Sequence, residues 1–166
     1  MNTDLDLLRK PPAGELALTI VREFKAPREL VFAAWTNPER AALWWAPRDF
    51  VLLDFKMDCR EGGAWFRRMR GPSGRISTKY GIYREIKAPE RLVFTYNTTD
   101  QEGKPDPETV VTLTFEALGK SRTRFTLHHA GFDTPQLRDE HHDGWSGAMD
   151  RLGQFVVPTG AERSEA

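Results

Sequence analysis

Cysteine is nearly missing from this chain: Cys59 stands alone among 166 residues. A lone thiol cannot close an intramolecular disulfide or build a thiolate metal cluster. Charge of one sign is missing too, with 24 Lys and Arg set against 24 Asp and Glu. Binders of nucleic acid or of acidic membranes rely on a clustered basic excess, so neither partner is expected. No apolar run approaches the ~20 residues that span a bilayer, and membrane insertion is not expected. The N-terminus carries Asp4 and Asp6 early and has no apolar core, unlike a secretory leader. A reducing, cytoplasmic setting fits these features. The chain contains no G-x-S-x-G, P-loop, G-x-G-x-x-G or H-E-x-x-H signature, and no cofactor is implied. Repeats and low-complexity tracts are absent as well.

What is present is a set of short alternating segments followed by one long helical stripe. The stretch from Ser121 alternates, with Phe125, Leu127 and His129 on one face and Arg124, Thr126 and His128 on the other. After it the period changes. Thr134 can cap a helix with Pro135 at its first position, where a missing N–H costs nothing. Leu137, His141, Trp145, Ala148, Met149, Leu152 and Val156 then recur three and four residues apart, predicting a helix over Pro135–Val157. Such a helix is about 34 Å long at ~1.5 Å per residue and needs a broad surface to lie on.

Strands supply that surface. The first is expected over Leu16–Lys25; a helix follows at Arg28–Thr36, and Asn37-Pro38 opens a second that runs through Trp44 until Pro47 stops it. From Phe50 the alternation places Val51, Leu53, Phe55 and Met57 on one face. Gly62-Gly63 breaks this run, and strands are expected at Ala64–Arg70, Ile76–Lys87, Arg91–Thr98 and Thr109–Leu118. Short connections make the last six strands an antiparallel meander that curls around the helix, with the two short helices plugging one end. Residues 1–14 read as a loosely held arm, 15–157 as one domain and 158–166 as a disordered tail.

Several motifs in order resemble one superfamily: R-E-F-K-A-P-R-E-L-V-F-A-A-W-T-N-P-E-R at 22–40, W-W-A-P at 44–47 and D-C-R-E-G-G-A-W at 58–65. G-I-Y-R-E-I-K-A-P-E-R-L-V-F-T at 81–95, H-A-G-F at 129–132 and H-H-D-G-W at 141–145 continue the match. Together they resemble the SRPBCC (START-like) superfamily, in the branch named after the activator of the ninety-kilodalton heat-shock chaperone's ATPase. The branch's C-terminal Leu-Asp-Arg-Leu has Met149 in place of its first leucine, a swap that conserves volume. The resemblance implies an α+β helix-grip fold, a curved sheet of about seven strands around a long C-terminal helix. It also implies an apolar cavity, and the expected partner is a small apolar or aromatic molecule. It does not imply one function, because the superfamily spans carriers, cyclases and receptors.

His129 shares its strand face with Phe125 and Leu127 and so points toward the helix. There it can orient a ligand or shuttle a proton, or it can simply be paired in the core; the paired reading is favoured. His141 lies on the inner stripe of the helix and can meet His129 at one cavity end. Neither the 128–129 nor the 141–142 histidine pair can chelate a metal as neighbours, because adjacent residues face apart. Tyr96 shares a face with Leu92 and Phe94 and offers a hydroxyl inside. Trp44, Trp45 and Trp65 read as aromatic walls or lids, with ordinary packing as the alternative. Phe94, Leu113, Phe115 and Met149 complete the expected cavity wall. Asp58 and Arg60 read as a structural ion pair, Cys59 as packing, and Arg67, Arg68 and Arg70 as a solvated basic run. Three functions remain open: ligand binding in the cavity, a cyclase- or lyase-like reaction there with His129 as acid–base group, and stimulation of a chaperone ATPase. Nothing in the sequence fixes an oligomeric state.

Overall fold

Period-two burial builds the sheet, and it does so on the residues where the alternation was read. The computed structural model describes residues 16–46, 49–99 and 108–157. Its strands are β1 (Leu16–Phe24), β2 (Val51–Met57), β3 (Ala64–Arg70), β4 (Ile76–Lys87), β5 (Arg91–Thr99), β6 (Thr109–Ala117) and β7 (Thr123–Phe132). They form one antiparallel sheet in the order β1-β7-β6-β5-β4-β3-β2. The expected meander therefore runs from β2 to β7, and β1 pairs along the free edge of β7, with Ile20 opposite Leu127. The expected arm at 1–14, the tail at 158–166, Pro47 and most of the acidic loop at 100–107 lie outside the described residues.

β2 departs from the simple alternation. Its register against β3 slips between Leu52 and Asp54, leaving Leu53 without a partner. One extra residue in a strand reverses the parity of everything before it. Leu52, Phe55 and Met57 thus stand opposite Met69, Arg67 and Trp65, while Val51 and Leu53 turn outward and are exposed. The expectation that Val51 and Leu53 share the face of Phe55 and Met57 is corrected by this bulge. Beyond Met57 the chain bends through Gly62, whose φ of +86° suits a residue without a Cβ. Arg60 Nε pairs with Asp58 Oδ2 at 2.9 Å beside this bend, as the structural reading anticipated. Cys59 is half-buried against the core, and burial pushes its thiol pKa up.

The helices are α1 (Arg28–Thr36), α2 (Pro38–Ala41) and α3 (Pro135–Val156). Asn37 caps α2 by accepting from the N–H groups of Glu39 and Arg40. α2 ends at Ala41 rather than at Trp44, and the chain leaves it through tight turns, Trp44 N–H reaching the Ala41 carbonyl at 3.3 Å. Beyond those turns Trp44 and Trp45 are both buried, each 1% exposed. Thr134 Oγ1 accepts from Leu137 N–H at 3.1 Å and starts α3 where the sequence indicated. Along α3 the buried residues are Trp145, Ala148, Met149, Leu152 and Val156, the C-terminal part of the expected stripe.

α3 lies across β1 and β7, and α1 rests on β6. Trp35 of α1 is fully buried at the meeting point of these layers. Its ring centroid lies 4.6 Å from that of Trp44, 5.7 Å from Phe125 and 5.9 Å from Trp145. Burying each such side chain contributes roughly 1.5–3 kcal/mol. Polar ties fix the layers: Arg28 donates to the Phe115 carbonyl at 3.1 Å, and Arg151 of α3 to the Ala46 carbonyl at 3.1 Å. Arg22 of β1 pairs with Asp150 of α3 at 2.9 Å. No helix among the described residues is long and apolar enough to cross a membrane.

Candidate functional site

The C-terminal part of α3 is sealed against the sheet, but its N-terminal half stands off from β3, β4 and β5. The gap is a cleft of about 560 Å³, within the range of small-molecule sites. Trp45, Met69, Tyr96, Leu137 and Trp145 give it aromatic and apolar walls. Arg67, Lys79 and His141 add the polar groups, and Glu140 and Asp143 stand exposed on α3 where it borders the cleft.

Arg67 is the chemical centre of this cleft. It is only 3% exposed. Nη1 donates to the Trp45 carbonyl at 3.1 Å, and Nη2 to Tyr96 Oη at 2.7 Å. Its guanidinium carbon lies 4.8 Å from the Trp45 ring centre, 5.7 Å from that of Tyr96 and 5.9 Å from those of Trp65 and Trp145. An arginine over aromatic faces is held by their negative quadrupoles, worth about 2 kcal/mol or more where water is excluded. The Nε atom is buried and has no hydrogen-bond partner among the described residues. The reading of Arg67 as part of a solvated run is therefore corrected: period two places it between Trp65 and Met69 on the inner face, while Arg68 and Arg70 face water. That alternation was the available signal; the basic run R-R-M-R masked it. Lys79 was also missed. It stands opposite Arg67 across the β3–β4 pair and donates to Thr98 Oγ1 at 3.1 Å.

His129 is fully buried and does not line the cleft. Trp145 Nε1–H can only donate, so Nδ1 of His129 accepts it, at 2.9 Å. The ring proton then resides on Nε2 and is donated to Thr109 Oγ1, at 2.6 Å, and Thr109 donates onward to the Tyr96 carbonyl at 2.7 Å. Both ring nitrogens are thus occupied within the protein. Burial, then the charges around it, hold the His129 pKa well below the usual 6.5.

His141 does border the cleft. Its Nδ1 donates to the Leu137 carbonyl at 2.9 Å, which leaves Nε2 as a bare acceptor. Burial lowers its pKa to about 4, with Lys79 and Arg67 adding to the effect. The His129 and His141 ring centres are 5.5 Å apart, so the rings are neighbours, but only His141 borders the cleft and the expected pair at a cavity end is not formed. Of the other expected wall residues, Trp45 and Tyr96 border the cleft, whereas Trp44, Phe94, Leu113, Phe115 and Met149 pack in the core. Trp44 Nε1 is taken by the Ala34 carbonyl at 2.9 Å. Trp65 lies near Arg67 and borders a second depression of about 830 Å³ instead. That depression spreads over outward-facing Phe66, Tyr80 and Ile82, and its charged residues are all exposed. No group of His, Cys, Asp and Glu that could hold a metal occurs among the described residues.

A seven-stranded antiparallel sheet gripping one C-terminal helix, with a cleft between them, defines a START-like helix-grip protein of the SRPBCC superfamily. Residues 25–156 match the family described as Activator of Hsp90 ATPase homolog 1-like protein, and the chain belongs to that family. Among solved structures it is similar to protein NE0264 from Nitrosomonas europaea, at 27% identity over 86% of this chain and 94% of that one, with a TM-score of 0.70. CalU16 from Micromonospora echinospora is similar at 29% identity, over 90% of this chain and 82% of that one, with a TM-score of 0.64. The AHSA1 protein from Silicibacter pomeroyi shares the fold, at 23% identity over 84% of this chain and 96% of that one, with a TM-score of 0.74. No curated protein matches the chain.

Proposed function

We propose that this protein binds a small apolar or aromatic molecule in the cleft between α3 and strands β3–β5. The observation that carries the reading is the cleft of about 560 Å³ walled by Trp45, Met69, Tyr96, Leu137 and Trp145. Aromatic walls supply most of the binding energy for such a ligand, and a few placed polar groups orient it. Tyr96 and His141 serve that second purpose through a phenol and a bare imidazole nitrogen. Membership of a superfamily known for ligand-binding cavities agrees with this reading. The enzymatic reading draws no support from His129, whose two nitrogens are both engaged inside the protein. ATPase activation, which appears in the family's name, stays a property of its namesake.

The neutral dye N-phenyl-1-naphthylamine tests the reading, because its fluorescence rises on leaving water. Saturable binding to the wild type is expected. Ser77 faces the cleft from β4 opposite Met69, so Ser77→Trp fills the space without cutting a core contact. Dye affinity should fall by about tenfold or more in that variant, with the thermal midpoint held within a few degrees. A wild type that saturates neither with this dye nor with an aromatic acid or amide of similar size would remove the reading.

A further inference from the structure

We propose that the ligand of this cleft is a monocarboxylic acid with a flat apolar body, and that Arg67 is the counter-ion of its carboxylate. The inference rests on the cleft being a ligand site and deepens that reading by assigning the ligand's charge.

A guanidinium is charged at every pH a protein meets, and removing it from water carries a large desolvation cost. Arg67 bears that cost almost fully, at 3% exposure. A buried arginine ordinarily recovers it from a carboxylate. Here the partners of Arg67 among the described residues are all neutral: the Trp45 carbonyl, the Tyr96 hydroxyl and four aromatic rings. The group is held in place but its charge is not cancelled.

Its donors are not exhausted either. A guanidinium has five N–H groups. One on each Nη is engaged within the protein, and the buried Nε–H has no partner among the described residues. An unmet buried donor is costly in a folded protein; among the described residues Arg67 Nε is one of several, with the indole nitrogens of Trp35, Trp45 and Trp65, and of these side chains Arg67 and Trp45 line the cleft. Tyr96 adds a second donor. Its oxygen accepts from Arg67, so the phenolic proton remains to be given to a ligand oxygen. A planar carboxylate accepts from such a fork more favourably than a neutral carbonyl does.

The surroundings agree. Lys79 stands opposite Arg67 on the neighbouring strand and also borders the cleft. Glu140 and Asp143 border the cleft from α3 and are exposed. Their charge opposes a second anionic group near them, which favours a mono-acid over a diacid. Trp45, Tyr96 and Trp145 border the cleft and offer aromatic surface to the apolar body.

Calorimetric titration of 2-naphthoate and 2-naphthamide tests this, since the two share shape and differ in charge. The wild type should bind the acid at least about tenfold more tightly than the amide. In Arg67→Met the ratio should fall to near one, and in Arg67→Lys it should fall partway, because a point charge keeps attraction but loses the fork. Equal wild-type affinities overturn the inference, as does a ratio that survives in Arg67→Met. Should Arg67→Met fail to fold, an unchanged ratio in Arg67→Lys overturns it instead. A wild type that takes the neutral naphthylamine dye but not the naphthoate defeats this inference alone. A wild type that takes none of the three compounds defeats the reading of the cleft as a ligand site.

Discussion

Trp145 of α3 donates its indole N–H to His129 Nδ1 of β7 across 2.9 Å, joining the helix to the sheet through a bond shielded from water. His129→Ala breaks that bond and the one to Thr109, leaves the buried Trp145 N–H unmet while Thr109 keeps its bond to the Tyr96 carbonyl, and opens a cavity. The unmet donor costs about 1–3 kcal/mol and the missing ring adds a packing loss, so a destabilisation of roughly 3–5 kcal/mol is expected. Urea unfolding measures it. A variant as stable as the wild type would show that the bond is not structural.

Acid should unfold the protein earlier than carboxylate titration alone would. Both His129 and His141 have folded pKa values depressed below the usual 6.5, His141 to about 4. The unfolded chain therefore takes up protons that the fold refuses. The stability they contribute is complete above about 6.5 and falls as pH drops toward 4 for His141, and further for His129. The slope is at most about 1.4 kcal/mol per pH unit for each histidine. Urea midpoints followed through this window should decline, and His141→Asn should remove one histidine's share of the slope. A flat profile would contradict the assignment.

Two glycines of opposite kinds make a controlled pair. At Gly81 an added Cβ would lie 1.8 Å from the Thr95 carbonyl oxygen and 2.8 Å from Trp65 Nε1. At Gly74 the φ is +88° but nothing lies within 4 Å. Gly81→Ala must displace β5 backbone and should cost about 2–4 kcal/mol, whereas Gly74→Ala should cost about 1 kcal/mol of backbone strain. Chemical denaturation of the two variants checks the order; the reverse order would sink the close-approach argument.

The strands and the long helix were legible because burial on one face leaves a period of two or of about 3.6 in the residues themselves. Phe125, Leu127 and His129 are all buried as their alternation required. The errors have equally local causes. Leu53 was misread because a bulge is an insertion in pairing, visible only once β3 supplies the register. Arg67 departs from the expected solvated run because its place between Trp65 and Met69 outweighs its charge, which aromatic rings accommodate. Of the expected cavity residues, Leu113 and Phe115 share a buried face of β6, yet the cleft opens over β3–β5 instead.

By itself the sequence determined the helix-grip architecture, because hydrophobic periodicity, capping and turn residues act over a few positions and are written in order along the chain. Only the tertiary structure decided which buried residues meet open space and which meet each other. That depends on where α3 stands off the sheet, and on contacts such as Arg67 with Tyr96, 29 residues apart in the chain and 2.7 Å apart in space. Long-range packing sets those distances, and no local pattern encodes them.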